Sequence, residues 1–382
     1  MDHYGKTRDD VIIDQPSQPT TVEDNAVAIV IKLTSLLVII LISVAGNTWI
    51  IFIIVRNIKF RRLPYYYAIN LAIADSMRAV FCLPVSMATI MEGSTWKYGV
   101  IGCRLFASVN VLFTFCCIYT LFALSVDRYT CNIYHRYYTR TMTSPIASSI
   151  SITVIWCSAF FTALPPIFGV GTYSYIPLEA QCTLEYRYYR NNDTLGFMLI
   201  SVITLGTILT VYSRVFVFMR AHRRMRPVLY TPASSRDWTF FGPGATGQAL
   251  ANWMNGFASG PPHPAVLGLR SQSNLSSRLH SLNKHHQGER LTRLFLVITL
   301  CYVVLWTPYV IMQFWNMFDI QRLTPPILVT CSTWLTYIQL MCNPVIHVLL
   351  NSAFRQVALP FRRRRHRRRQ NQRYILEKTI RD

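Results

Sequence analysis

The stretch "LFASVNVLFTFCCIYTLFALSVDRY" (Leu105–Tyr129) begins with 22 residues that carry no charge and then continues directly into an aspartate and an arginine. An α-helix needs about 20 mostly apolar residues to cross the roughly 30 Å hydrocarbon core of a bilayer. The stretch therefore predicts a transmembrane helix that reaches the membrane surface near Asp127 and Arg128.

Six other runs of similar length and composition occur along the chain. Together they give seven predicted spans, at about residues 28–55, 64–90, 101–127, 147–170, 195–219, 291–318 and 326–350. Of the 382 residues, 52% are hydrophobic and 14% are charged, which is too little charge for the surface of a soluble protein. The sequence predicts an all-α membrane protein built as a seven-transmembrane helix bundle, the transmembrane domain covering residues 28–350.

The charges are distributed unevenly between the two sides of this bundle. The tail 1–27 is rich in aspartate, whereas the first loop reads "RNIKFRR" (56–62) and the last segment contains "RRRRHRRR" (Arg362–Arg369). Because lysine and arginine accumulate in cytoplasmic loops, we expect an extracellular tail 1–27 and a cytoplasmic segment 351–382. A multi-pass protein of the plasma membrane with this orientation explains much of the net charge of +21, so we expect no nucleic-acid partner.

The long cytoplasmic loop, about 220–290, holds an uncharged aromatic segment, "WTFFGPGATGQALANWMNGFASGPP" (238–262). It has too many glycines and prolines for a helix, and irregular backbone is not tolerated in lipid. We expect it to dock on a partner, to fold back over the inner mouth of the bundle, or to be a plain spacer. The docking residues would be Trp238, Phe240, Phe241, Trp253 and Phe257.

Polar side chains inside the predicted spans are candidate functional residues, because such groups are costly in lipid. Asn47, Asp75 and Asn343 lie at mid-membrane, either as a clasp between helices or as a switch site filled by Na⁺ and water. Arg78 follows Asp75 by one helical turn on the same face. It is either neutralised by Asp75 or available to an acidic or carbonyl-bearing ligand.

The cavity expected around Arg78 contains no acidic residue at the level of the sequence. A cationic amine would find no counter-ion there, which disfavours an aminergic ligand. The other expected members of the ligand cavity are Asn110, Trp306, Gln313 and Tyr337.

Together these features resemble the rhodopsin-like, class A G-protein-coupled receptors over all seven spans. The resemblance is carried by Asn47, "NLAIAD" (70–75), Trp96, Cys103, "DRY" (127–129), Trp156, Cys182, "LWTP" (305–308) and "NPVIH" (343–347). The long loop with "GPPHP", "PYYYAIN" and Arg78 is similar to the super-conserved receptors expressed in brain, a small orphan group. The resemblance implies heterotrimeric G proteins as cytosolic partners and an unknown extracellular ligand, a peptide or another non-aminergic compound.

The resemblance also assigns roles to residues. It implies a disulfide between Cys103 and Cys182, and a toggle formed by Trp306 and Pro308 beneath the cavity. A G-protein switch would include Asp127, Arg128, Tyr129, Tyr212, Asn343, Pro344 and His347. A sodium pocket would be lined by Asn47, Asp75, Cys117, Gln339 and Asn343.

Several residues depart from the family pattern. His347 stands where most members have tyrosine, which weakens the expected lock with Tyr212, and the fifth span has no proline. Cys117 and Gln339 replace serine and asparagine in the sodium pocket, so we expect a weak Na⁺ site or none.

The two ends of the chain carry further signals. "NDT" makes Asn192 a candidate glycosylation site in an outer loop. The segment 351–361 predicts a short amphipathic eighth helix, followed by Arg362–Arg369, which we expect to bind anionic inner-leaflet lipids.

One other functional class stays open. His347 and the missing proline would also suit a membrane scaffold that no longer signals and docks partners through its long loop. The sequence shows no nucleophile–base constellation and no metal-spaced Cys/His cluster, so we expect no enzymatic activity.

Overall fold

The computed structural model describes residues 26–60, 63–142, 144–168, 172–184, 193–224, 264–318, 324–351 and 354–355. Within these ranges, seven helices are long and apolar enough to cross a membrane. They span Ala26–Arg56, Leu63–Met91, Gly99–Ile133, Ile146–Phe168, Met198–Ala221, Gly288–Met317 and Pro326–Leu350. The seven-helix prediction is confirmed, and each predicted span overlaps its helix.

Helix bounds extend beyond the membrane limits in several places. The first and third helices are Ala26–Arg56 and Gly99–Ile133, and between them the second span is divided into Leu63–Phe81 and Leu83–Met91. The fourth, fifth, sixth and seventh helices are Pro145–Ala163, Asp193–Arg224, Pro264–Phe318 and Pro326–Leu350. A short helix, His135–Thr141, follows the third, and 3₁₀ turns cover Ile58–Phe60 and Pro165–Phe168. The sixth helix therefore enters the stretch that the sequence assigns to the loop 220–290, because a count of apolar residues does not register a polar helical extension.

A two-stranded hairpin, which the sequence does not predict, closes one end of the bundle. Strand β1 (Tyr173–Ile176) pairs antiparallel with β2 (Gln181–Leu184), so that Tyr175 lies opposite Cys182. A disulfide joins Cys182 to Cys103 at the start of the third helix, which is the pairing that the resemblance implies. We call this end of the bundle the disulfide end and the opposite end, at Asp127–Tyr129, the DRY end.

Polar side chains hold the second, third and fourth helices together. Asn70 donates to the Thr120 hydroxyl at 2.7 Å, and the Trp156 indole donates to the Asn70 carbonyl oxygen at 2.9 Å. One buried amide thus satisfies a donor and an acceptor on two neighbouring helices, as a polar group away from water requires.

The first and seventh helices pack closely at Gly46. A Cβ built on this glycine would lie 2.6 Å from Cγ and 2.7 Å from Cβ of Pro344, which real side chains do not tolerate. Since the proline ring is rigid and buried, the helices could relieve this contact only by separating.

We predict that Gly46→Ala destabilises the bundle by about 1–3 kcal/mol, the usual cost of overpacking. Gly206→Ala is the matched control, because a Cβ at Gly206 meets no atom within 4 Å. The check is thermal unfolding of the purified protein in detergent. Equal melting temperatures for the two variants would contradict the packing argument.

Candidate functional site

Arg128 at the DRY end is buried and held by its own neighbour. Its Nε donates to Asp127 Oδ2 at 2.8 Å, and its Nη2 contacts the same oxygen. The same Nη2 donates to the Tyr138 hydroxyl at 3.4 Å, and burial raises the pKa of Tyr138, which keeps that hydroxyl neutral. The neighbouring Tyr129 packs its ring against Tyr134 instead. The guanidinium is therefore satisfied on the third helix and the short helix after it.

A side-chain bridge joins the third and sixth helices just beyond Arg128. Asn132 donates from Nδ2 both to the Arg128 carbonyl oxygen at 2.6 Å and to the Thr292 hydroxyl at 3.2 Å. Thr292 in turn donates to the Gly288 carbonyl oxygen at 3.0 Å. Asn132 was not among the residues suggested by the sequence, because no motif marks it. The bridge holds the ends of the two helices together, so the DRY end is closed.

Tyr212 and His347 do not form a hydrogen-bonded lock. The Tyr212 hydroxyl and His347 Nδ1 are both buried, no hydrogen bond joins them, and His347 Nδ1 has no partner among the residues that the structure describes. The His347 ring instead contacts the rings of Phe295 and Phe354, at centroid distances of 6.3 and 5.6 Å. In this arrangement His347 serves as a packing residue.

The mid-membrane polar residues meet between the first, second, third and seventh helices. Asp75 accepts hydrogen bonds from Asn343 Nδ2 and, at 3.4 Å, from the Cys117 thiol. Asn47 Nδ2 donates to the Leu340 carbonyl oxygen at 3.0 Å, which joins the first helix to the seventh. The structure thus brings these four side chains together as the sequence suggests, and gives each a neighbouring helix as partner.

A cavity of about 80 Å³ lies between these residues and the disulfide end. Three expected ligand-cavity residues, Arg78, Asn110 and Gln313, line it together with the toggle residue Trp306. Tyr337 is only 1% exposed and supports the wall from behind by donating its hydroxyl to Gln181 Oε1 at 3.0 Å. The hairpin also contributes to the lining, through Gln181, Thr183 and Leu184.

Arg78 is a buried cation on the wall of this cavity. Its Nε donates to Asn110 Oδ1 at 2.9 Å, and its Cζ lies 5.2 Å from the Trp306 ring centroid and 5.9 Å from that of Tyr337. Among the described residues, the ion pairs within 4.0 Å include none between Arg78 and Asp75. Arg78 and Asp75 therefore do not form a direct ion pair, although both are buried one helical turn apart.

Comparison with known proteins identifies the family. The model of the 7 transmembrane receptor (rhodopsin family) matches residues 46–347. The chain belongs to this receptor family. The crystal structure of squid rhodopsin shares the fold, with a TM-score of 0.66, 17% identity and coverage of 89% of this receptor and 88% of that chain.

Relatives of known sequence place the receptor more narrowly. Probable G-protein coupled receptor 173 of Danio rerio is 38% identical over 86% of this chain and 84% of its own length. Probable G protein-coupled receptor 85 of Danio rerio is 39% identical, over 75% of this chain and 78% of its own, and human probable G-protein coupled receptor 27 is 35% identical, over 86% and 88%. The resemblance to the super-conserved receptors expressed in brain is thus confirmed, and the relatives give no support to the scaffold alternative.

None of the described residues that line the receptor cavity is acidic, as the sequence suggests, but one acid lies directly behind the lining. Glu179, in the turn of the hairpin, is 1% exposed and accepts hydrogen bonds from two cavity residues, Tyr309 and Gln313, both at 3.1 Å. No sequence pattern indicates this contact, because "LEAQC" is typical of an ordinary solvated loop. Glu179 already has donors at both carboxylate oxygens, so it is not an open site for a ligand amine.

The residues around Asp75 are a poor fit for Na⁺. An amide and a thiol already donate hydrogen bonds to the carboxylate. Na⁺ binds hard oxygen ligands, and each of these donors takes up a lone pair that the ion would otherwise use. Arg78 adds a positive charge one turn away on the same helix. Neutral oxygens are available, since the buried Asn47 Oδ1 has no partner among the described residues and Gln339 is buried nearby on the seventh helix. The Asp75 carboxylate, however, is already engaged by its two donors.

Some predicted sites lie outside the described residues. They are the glycosylation site Asn192, the aromatic segment containing Trp238, Phe240, Phe241, Trp253 and Phe257, the tail 1–25, and the basic run Arg362–Arg369. Of the predicted eighth helix the structure describes only Phe354 and Arg355, in a helical turn that Asn351 caps by accepting from the Phe354 backbone N–H at 3.1 Å. These stay predictions.

We predict that replacing sodium by potassium at constant ionic strength leaves the melting temperature of the purified receptor unchanged. The reason is that the Asp75 carboxylate is engaged by protein donors and faces Arg78 on its own helix. The sodium-free control with N-methylglucamine separates a specific ion effect from general screening. A sodium-specific rise in melting temperature would show that a cation site exists despite Cys117.

Proposed function

We propose that this receptor carries a signal from its disulfide end, facing the cell exterior, to heterotrimeric G proteins at its DRY end, facing the cytosol. Two features support the orientation at the plasma membrane. The disulfide Cys103–Cys182 persists only in an oxidising compartment, and the basic cluster 56–62 joins the first and second helices at the other end.

The observation that carries the proposal is the closed arrangement around Arg128. A buried guanidinium with its own carboxylate partner costs little in the resting state, and it becomes a strong donor when the helices separate. At the DRY end, separation breaks the Asn132–Thr292 bridge, which is one side-chain hydrogen bond of about 0.5–1.5 kcal/mol. Outward movement of the sixth helix would thus expose Arg128 to a G protein.

The ligand we propose carries an anionic or carbonyl group. Arg78 is 3% exposed and lines the cavity, and the described residues place no carboxylate within ion-pair distance of it. Desolvating a cation without an adjacent anion is unfavourable, and a planar guanidinium matches a carboxylate in geometry. The apolar remainder of the wall, including Val111, Phe115 and Ile118, suits an apolar ligand body.

The basic run Arg362–Arg369 is proposed to hold the cytosolic tail against anionic lipid. Each basic residue near such a surface contributes about 1 kcal/mol, so eight residues with seven arginines suffice for anchoring. We expect a fluorophore at the end of the tail to lie closer to the bilayer in nanodiscs containing phosphatidylserine than in nanodiscs of phosphatidylcholine alone. Substitution of the arginines by glutamine should remove the difference; a difference that survives it would contradict the proposal.

We predict that Arg128→Ala abolishes nucleotide exchange on purified G proteins by the receptor in membranes, including its basal component. Asn132→Ala should act in the opposite direction and raise basal exchange about tenfold or less, since it removes one hydrogen bond worth roughly 0.5–1.5 kcal/mol. Thr141→Ala, which removes an exposed hydroxyl on the neighbouring short helix, is the control and should leave exchange unchanged. If Arg128→Ala signals normally, the proposed switch is wrong.

A further inference from the structure

Glu179 is the most deeply buried acidic group outside the spans in the described part of the chain, and it lies on the hairpin rather than on a helix. It is 1% exposed, and its oxygens accept from Gln181 Nε2 at 2.9 Å, Tyr309 at 3.1 Å and Gln313 Nε2 at 3.1 Å. Two of these donors are on the sixth helix, one turn apart. Glu179 thus bonds the hairpin to the sixth helix, the helix whose outward movement is proposed to expose Arg128.

Two side-chain amides connect this carboxylate to Arg78. Arg78 donates to Asn110 Oδ1, Asn110 Nδ2 donates to Gln181 Oε1 at 3.2 Å, and Gln181 Nε2 donates to Glu179. Every bond in the chain is donated from the cationic side towards the anionic side, so the amide dipoles align with the field between the two charges. Glu179 and Arg78 therefore lie at the two ends of one chain of hydrogen bonds, which joins the hairpin to the second helix.

Hydrogen bonds to two helices hold the hairpin in the position that this chain of hydrogen bonds needs. The turn carbonyls of Ala180 and Leu178 accept from Thr89 on the second helix, at 3.0 Å, and from Thr330 on the seventh, at 3.3 Å. Ala180 has a φ of 51°, in the left-handed region that a residue with a side chain rarely adopts. Such a backbone conformation persists only when the surrounding contacts enforce it.

The hairpin also narrows the space that a ligand would need. Gln181, Thr183 and Leu184 form part of the cavity wall, and the space that remains is about 80 Å³, well below the roughly 300–1,000 Å³ of typical small-molecule pockets. A ligand of ordinary size would therefore have to displace part of this wall, to which the hairpin contributes.

The contacts of Glu179 also lie directly beyond the hinge of the sixth helix. Pro308 interrupts the hydrogen bonding of that helix, and Tyr309, the next residue, packs its ring edge-on against Trp306 at 5.8 Å. A swing about Pro308 that opens the DRY end must rotate Tyr309 and Gln313 away from a fixed carboxylate. The structure holds both contacts together with the closed Asn132–Thr292 bridge.

We propose that the hairpin segment Glu179–Leu184 is a tethered acidic ligand, which forms part of the wall of the receptor's own cavity and stabilises the closed state through Glu179, Tyr309 and Gln313. The inference rests on the proposed function, since it assigns a regulator to the same switch. A segment with more contacts in one state than in the other shifts the population towards the first. A free ligand of this receptor would activate it by displacing these contacts.

The test is basal nucleotide exchange by Glu179→Gln, which keeps the shape of the side chain and removes its charge. We expect exchange to rise by about fivefold or more, the lower end of common allosteric couplings. Glu92→Gln is the matched control, because Glu92 is a partly exposed acid at the same end that pairs with Lys97. Unchanged or reduced exchange in a Glu179→Gln receptor that reaches the surface normally would overturn the proposal.

A milder pair of variants covers the case in which Glu179→Gln does not fold. Tyr309→Phe removes only the hydroxyl, and Gln313→Leu removes only the amide; each should raise basal exchange, and neither should have a further effect in the Glu179→Gln background. If the increases in basal exchange were additive with that of Glu179→Gln, the two residues would act independently of the carboxylate, which would contradict the proposal that the hairpin is a tethered ligand.

A distance measurement separates this inference from the proposed function. Spin labels at Tyr134 and Arg290, both exposed at the DRY end, report the separation of the third and sixth helices without any G protein. The inference predicts a larger population of long distances in Glu179→Gln than in the unaltered receptor. A larger population of long distances without nucleotide exchange would contradict the G-protein proposal alone. Nucleotide exchange without any change in the distances in Glu179→Gln would contradict only the proposal that the hairpin is a tethered ligand.

Discussion

A polar side chain inside a bilayer has no water to bond to, and three buried ones in this receptor find their partners on other helices. Asn47 joins the first helix to the seventh, Asp75 joins the second to the third and seventh, and Asn70 joins the second to the third and fourth. The apolar residues make the helices but do not choose their neighbours, because lipid is as apolar as they are. The few polar residues therefore determine the arrangement of the bundle, and they also make it switchable, since a hydrogen bond can be exchanged where a packed core cannot.

The same rule explains what could be predicted from the sequence. Span positions follow from one-dimensional composition, and the polar cluster of Asn47, Asp75 and Asn343 follows because membrane depth alone brings mid-span residues to one level. The hairpin and Glu179 do not follow. A loop side chain obtains its partners from the tertiary fold, and neither the period nor the composition of "LEAQC" shows that its acid will be buried against Tyr309 and Gln313. Asn132 was missed for the related reason that its partner, Thr292, is 160 residues away.

The sixth helix is restrained at both ends in this structure. At the DRY end its Thr292 accepts from Asn132, and at the disulfide end its Tyr309 and Gln313 donate to Glu179. Pro308 lies between these contacts, where the helix lacks one backbone hydrogen bond and can bend at low cost. Two clamps on either side of a hinge are coupled mechanically, because bending that strains one also strains the other. Trp306, stacked on Tyr302 at 5.5 Å and beneath Arg78, lies at that hinge.

Two departures of this receptor from the common family pattern make the sixth helix more important for the balance between closed and open states. Elsewhere in the family a tyrosine at the end of the seventh helix supports the switch through water, but here His347 is packed between Phe295 and Phe354. The fifth helix is continuous from Asp193 to Arg224 and has no proline to bend it. With these two contributions reduced, the balance between closed and open states depends more heavily on the sixth helix and its two clamps. A carboxylate that accepts two hydrogen bonds from the sixth helix is the stronger clamp, since charge-assisted hydrogen bonds are roughly twice as strong as neutral ones. The resting state of this receptor is therefore governed chiefly from the disulfide end, by a residue that lies outside all seven helices.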